Sequence, residues 1–146
     1  MKTSDNGISL IRSFEGFRAE PYADVGGKMT VGYGHLIKQG EMFTTISEDD
    51  ASALLAKDLH YAESCVNTCV TVALNQNQFD SLVSFVFNLG TGSFENSTLL
   101  KDINDGNFDA AANEFLRWVH CDGQVIDGLV HRRQAESNLF QTPVDA

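Results

Sequence analysis

The chain changes its hydrophobic rhythm along its length. Near the start, Ile8, Leu10, Ile11 and Phe14 recur at the spacings of an amphipathic helix. This predicts a short helix opening after Ser4 or Asp5 and stopped by Gly16, with Glu15 at its end. Over residues 17–37 the period shortens. Phe17, Tyr22, Val25, Met29, Val31 and Tyr33 alternate with glycine and polar residues, and Asp24-Val25-Gly26-Gly27-Lys28 supplies turn chemistry between two short strands. The glycines around Val31 and Tyr33 point to close backbone approach, to a neighbour or to a ligand.

From Ser47 onward the pattern is helical. Ser47 followed by Glu48, Asp49 and Asp50 reads as an N-cap with an acidic first turn. Ala53, Leu54, Ala56, Leu59, Ala62, Cys65, Val66 and Cys69 then fall near one stripe. They predict a helix over residues 51 to about 70, roughly 30 Å long. Such a helix could tie a strand-bearing lobe to a helical one. Shorter helices follow over 75–89 (stopped by Gly90), 98–104 (stopped by Gly106), 108–119 with the lone Trp118, and 129–140 before Pro143. The expected class is α+β, mostly helical, with a small antiparallel sheet beside a compact bundle.

Apolar residues make up 42% of the 146 positions, enough to exclude a disordered chain. Apolar runs are short, so no transmembrane helix and no membrane insertion are expected. The segment Met1–Gly7 lacks the apolar stretch of a signal peptide, so the protein is expected in the cytoplasm until something releases it. The net charge is −10, and it is uneven: residues 1–40 carry five Lys/Arg and four Asp/Glu, residues 41–146 five and sixteen. Nucleic acid is therefore not an expected partner. The acidic faces read as solvated surface. Cys65, Cys69 and Cys121 are an odd set and read as free thiols filling apolar positions. A metal site joining Cys65 and Cys69 to His60 is the weaker reading, and neither metal nor cofactor is expected.

The most informative chemistry is early. Glu15 is followed, after eight intervening residues, by Asp24 and, after five more, by Thr30, which opens the run Thr30-Val31-Gly32-Tyr33-Gly34-His35. Two carboxyls and a hydroxyl in one short segment suit glycosidic bond cleavage, in which one acid donates a proton and the other activates water or stabilises positive charge. Each residue taken alone is ordinary: Glu15 a helix-end polar group, Asp24 a turn aspartate, Thr30 a strand residue.

The chain resembles the phage-type lysozymes, the endolysin family of muramidases (glycoside hydrolase family 24). The resemblance rests on Glu15-Gly16-Phe17-Arg18, on Tyr22-x-Asp24, and on Thr30 through Leu36. Leu74 through Asp80, Phe87-Asn88-Leu89-Gly90, and Gly128-Leu129-x-x-Arg132-Arg133 ending at Leu139-Phe140 extend it. It implies one lysozyme-like domain over 1–146, with an N-terminal lobe of about 14–58 and a helical lobe of about 1–13 and 59–146.

The implied activity is hydrolysis of the β-1,4 bond between N-acetylmuramic acid and N-acetylglucosamine in peptidoglycan, lysing the host cell. The resemblance makes Glu15 the general acid and Asp24, with Thr30, the group that positions and activates water, with inversion at the anomeric carbon. It places Arg132 before the catalytic acid and pairs His35 with Asp58 on the long helix, a structural rather than a proton-transfer role. It also puts Leu36, Phe87 and Thr98 along the saccharide cleft, although Phe87 taken alone reads equally as core. Peptidoglycan strands are the implied partner, a holin-type membrane lesion the route to the wall, and a monomer the expected state. Relatives are often basic or begin with an apolar secretion anchor; this chain does neither. A lytic transglycosylase and an inactive wall-binding module are the competing readings. The first would need only one acid, and the second would need none of the three residues.

Overall fold

A computed structural model describes residues 1–144. The chain forms two compact units. Ile8–His60 make one, and Met1–Gly7 with the chain from Tyr61 onward make the other.

The unit of residues 8–60 holds most of helix α1 (Asp5–Glu15), a three-stranded antiparallel sheet, and helix α2 (Glu48–Asp58). Gly16 stops α1 as expected, at φ +71° with its amide on the Arg12 carbonyl at 3.1 Å. The sheet order is β1 (Arg18–Ala23), β2 (Met29–Gly32), β3 (His35–Leu36). The register pairs Tyr22 with Thr30 and Ala23 with Met29, and it slips between Arg18 and Tyr22. Pro21 falls in that slip; it has no N–H to give the ladder, and β1 is an edge strand, where proline is tolerated. Gly32 ends β2 at φ +68°, and a Cβ there would stand 3.0 Å from the Ala51 Cβ, so glycine lets α2 lie close against the strand.

Ser47 caps α2 as expected. Its hydroxyl accepts from the Asp50 amide at 3.1 Å, and the Asp50 carboxylate accepts from the Ser47 amide. The single long helix does not form. Helix α2 stops at Asp58, Leu59 caps it in αR conformation, and α3 runs His60–Cys69. The buried stripe also differs from the expected one: Ala51, Leu55, Leu59, Ala62 and Val66 face inward, whereas Ala53 and Ala56 are exposed. Alanine's small apolar side chain is compatible with either face, so the pattern left that half of the stripe undetermined.

In the other unit, Ser4 opens α1. Its hydroxyl accepts from the Gly7 amide at 3.2 Å and donates to Asp80. Asp80 is fully buried and also accepts from the Ser4 amide and Gln76. Helix α4 (Gln76–Leu89), capped by Asn75, buries every residue from Phe79 to Val86 and packs against α8 (Asp127–Gln141). Phe85 is the aromatic centre, edge-on to Phe94, Phe115 and Trp118 with ring centroids 5.6–6.2 Å apart. Between α4 and α8 lie α5 (Thr91–Glu95), which the pattern did not predict, α6 (Thr98–Asn104) and α7 (Phe108–Glu114).

The helix expected over 108–119 ends early. It tightens to a 3-10 turn at Phe115–Arg117, and Val119 then accepts from the Ile126 amide to close a small hairpin, β4 (His120–Cys121) and β5 (Gln124–Val125). Asp122 and Gly123 form its two-residue turn, both at positive φ. That Asp-Gly pair was the missed signal.

One ionic group sits inside this apolar unit. Glu136 is fully buried, 2.5 Å from the Ser84 hydroxyl that donates to it, with Arg132 and Arg133 at 3.3 Å. Arg133 Nε and Glu136 Oε1 stand 2.8 Å apart as an ion pair, but the N–H is not aimed at that oxygen. Burial pushes the Glu136 carboxyl up and the Arg133 guanidinium down from their ordinary ranges; the two arginines oppose the first shift and Glu136 the second. Breaking such a group strands buried charge. Glu136→Gln is therefore expected to lower unfolding free energy by about 3 kcal/mol or more. Urea denaturation of the two proteins measures it, and a change within about 0.5 kcal/mol would show that the network contributes little.

Candidate active site

The residues singled out by the sequence fall in both units. Glu15, Asp24, Thr30, His35, Leu36 and Asp58 belong to residues 8–60; Phe87, Thr98 and Arg132 belong to the helical unit.

Glu15 closes α1, half-buried. The turn between β2 and β3 comes to meet it. Gly34 has φ +78°, and a Cβ there would stand 3.0 Å from Glu15 Oε1. Only glycine combines that backbone with that approach. Asp24 sits at the head of the β1–β2 turn. Its amide donates to the Lys28 carbonyl at 2.8 Å, its carbonyl accepts from Gly27 at 2.9 Å, and its Oδ1 accepts from the Lys28 amide at 2.8 Å. The carboxylate is thus held by its own turn, with one oxygen on the backbone and the other available.

Thr30 is buried on β2, directly across from Tyr22. Their pairing places Tyr22 and Thr30 on one face of the hairpin. The Thr30 hydroxyl donates to the Lys28 carbonyl at 3.1 Å, so its lone pairs remain as acceptors.

His35 pairs with Asp58 as anticipated, Nδ1 to Oδ2 at 2.8 Å. The sequence reading missed the second partner. Nε2 faces Glu41 at 3.0 Å, and the Glu41 carboxylate also accepts from the Lys38 amide at 2.7 Å. A ring bracketed by two carboxylates is best satisfied with both nitrogens donating, so these contacts favour the imidazolium form. Burial works against that charge, but the hydrogen bonds and negative charge of Asp58 and Glu41 outweigh it and raise the His35 pKa above 6.5. The Lys38 amide and then His35 lower that of Glu41.

Leu36 is 47% exposed, a large apolar side chain facing solvent. In the helical unit Phe87 is half-buried, neither wholly core nor free, with its ring 6.3 Å from that of Tyr61, whose hydroxyl donates to the Phe87 carbonyl. Thr98 is exposed at the first position of α6. Arg132 is buried, and within its unit its guanidinium meets Glu136 and Ser84.

The three cysteines are free thiols. The donor that joins Cys65 and Cys69 is Glu95 rather than His60. Burial, with the neighbouring Cys69 and Glu95, pushes the Cys65 thiol up to about 12. Among the described residues no helix is long and apolar enough to cross a membrane.

Residues 12–136 match the family model described as phage lysozyme. The chain belongs to the phage lysozyme family. It is 44% identical to the endolysin of Bacillus phage B103 over 97% of its own length but only 55% of that relative's, so it spans about half of this longer protein. Two solved structures share its fold over 97% of this chain and 99% of theirs. They are a P22 lysozyme mutant (TM-score 0.90, 37% identity) and the muramidase domain of SpmX from Asticaccaulis excentricus (TM-score 0.89, 39% identity).

The His35 cluster predicts a pH dependence. A raised histidine pKa contributes stability that is full below about pH 6.5 and lost as pH climbs through the folded value. The lowered Glu41 pKa adds stability present above about 4.5 and lost as pH falls through its folded value. The stability gap between the wild type and His35→Asn should therefore peak between about pH 5 and 6.5 and narrow above it. Denaturant unfolding across pH 4–9 reads this, and a gap that widens toward pH 9 contradicts an imidazolium at position 35.

Proposed function

We propose that this chain is an endolysin-type muramidase that hydrolyses the β-1,4 bond between N-acetylmuramic acid and N-acetylglucosamine in peptidoglycan, and that this hydrolysis lyses the host cell. The observation that carries the reading is how the structure holds two carboxyls and a hydroxyl within residues 8–60. Glu15 lies against the glycine turn at Gly34, and Asp24 and the Thr30 hydroxyl are each held by the Lys28 backbone, Asp24 on its amide and Thr30 on its carbonyl.

In this mechanism Glu15 gives its proton to the glycosidic oxygen as the bond to the anomeric carbon lengthens. A water bound by Asp24 and Thr30 attacks from the opposite side. Because the Thr30 hydroxyl is committed as a donor to the Lys28 carbonyl, it can only accept from that water. One water hydrogen goes to Thr30 and the other to the Asp24 carboxylate, which leaves an oxygen lone pair directed at the sugar. Asp24 takes the proton as the new C–O bond forms, and configuration inverts. Leu36, Phe87 and Thr98 supply apolar surface and a hydroxyl to the sugars. A holin-type lesion gives access to the wall. The protein acts as a monomer without a cofactor.

Digestion of purified sacculi tests the reading. Products with reducing ends, formed with inversion when followed by NMR at early times, are expected. Products ending in 1,6-anhydromuramic acid would make the enzyme a lytic transglycosylase, and no soluble product would leave a binding module. Glu15→Gln should lower the rate at least about 100-fold, the usual scale of general acid catalysis, with an unchanged thermal midpoint. A wild-type rate for Asp24→Asn would remove Asp24 as the base.

A further inference from the structure

Helix α3 carries Cys65 and Cys69 one turn apart, on the same face. Glu95, the last residue of α5, reaches toward them, so that two sulfur atoms and a carboxylate oxygen all lie within 4.8 Å of one another. We propose that Cys65, Cys69 and Glu95 form a binding site for a thiophilic divalent cation, Zn²⁺ in particular, with water as the fourth ligand.

The donor set and its mounting carry this. Zn²⁺ takes thiolate at about 2.3 Å and carboxylate at about 2.0–2.2 Å in a tetrahedron, in which donor atoms stand roughly 3.5–3.8 Å apart. From the 4.8 Å bound the donors need to close by about 1.0–1.3 Å at most, within the reach of side-chain torsions. The backbones beneath them are held. Asn104 donates to the Cys69 carbonyl at 3.0 Å and accepts from the Thr71 amide at 2.9 Å, which fixes the end of α3. Asn96 donates to the Gly92 carbonyl through its side chain at 3.0 Å, which fixes the end of α5.

Core filling accounts for Cys65, which is 8% exposed, but not for the other two donors: Cys69 is half-buried and Glu95 exposed. That gradation leaves one side of the site open to solvent, where a water ligand belongs. Two thiolates and a carboxylate exceed the ion's charge by one, and soft sulfur selects zinc over magnesium or calcium. Binding displaces one proton from each thiol to solvent as two metal–sulfur bonds form, and no oxidant or reductant takes part. The bound ion clamps the last turn of α3 to α5 inside the helical unit.

The test uses the full chain with Cys121→Ser, which removes the exposed third thiol, reduced with a phosphine and stripped with a chelator. Titration with Co²⁺ should give one equivalent of binding with a thiolate-to-cobalt charge-transfer band and the visible absorption of four-coordinate cobalt. Zn²⁺ should displace the cobalt and raise the thermal midpoint. Cys69→Ser, at the half-buried position, should abolish the charge-transfer band and the thermal shift. Glu95→Gln should keep thiolate absorption but bind at least roughly tenfold more weakly. No charge-transfer band at saturating cobalt, or the same binding and thermal shift in Cys69→Ser as in its parent, overturns the site.

Discussion

The small sheet depends on a buried cation between two anions. His35 is 4% exposed, and it sits on a strand of only two residues. So short a strand has little ladder energy of its own. Its place is set by the imidazolium, which reaches Asp58 at the end of α2 on one side and Glu41 in the following loop on the other. A buried charge without partners is costly, so the cluster is all-or-none: once the ring is inside, both carboxylates must be there. The residue before His35 is Gly34, the one that meets the Glu15 carboxylate. The position of that carboxylate therefore rests, one peptide away, on the His35 cluster.

The helical unit solves its packing differently. A row of buried apolar side chains along α4 and a set of edge-on rings around Phe85 supply most of its cohesion. Glu136 is the exception, and the residues around it are chosen to satisfy it: a serine from α4 and two arginines one turn earlier on its own helix. Apolar packing tolerates many register choices, whereas a buried carboxylate with fixed donors accepts few. Glu136 thereby adds to the α4–α8 contact a directional element that leucines alone would not.

Much of this architecture was legible from the chain. Ser4, Gly16, Ser47, Asn75, Gly90 and Gly106 each act at a helix boundary through a local hydrogen bond or a positive φ, which is why sequence could locate them. The break at Leu59 was not legible, because nothing local forbids a helix there. The β4–β5 hairpin is legible in principle from Asp122-Gly123, although the apolar pattern assigns residues 120–128 to no element. At the candidate site, Glu15, Asp24, Thr30 and the His35–Asp58 pair could be named from their motif. Glu41 and Glu95 could not. Each acts through a contact whose partner has no fixed spacing to it, and a lone carboxylate on an acidic chain carries no signal of its own.

The acidity itself is distributed in a way that bears on catalysis. The strands and turns from Arg18 to Leu36 carry Arg18 and Lys28 against Glu20 and Asp24, so the hairpin that presents Asp24 and Thr30 is balanced. The excess of acid begins at Glu41 and falls mostly on helices. In about 0.1 M salt, charges more than about 10 Å apart are largely screened from one another across solvent. The acid nearest the sheet is that of Glu41, which meets His35, and of α2, which packs against β2. The roles proposed for Asp24 and Thr30 thus fall on a stretch whose own formal charges cancel, in a chain of net charge −10.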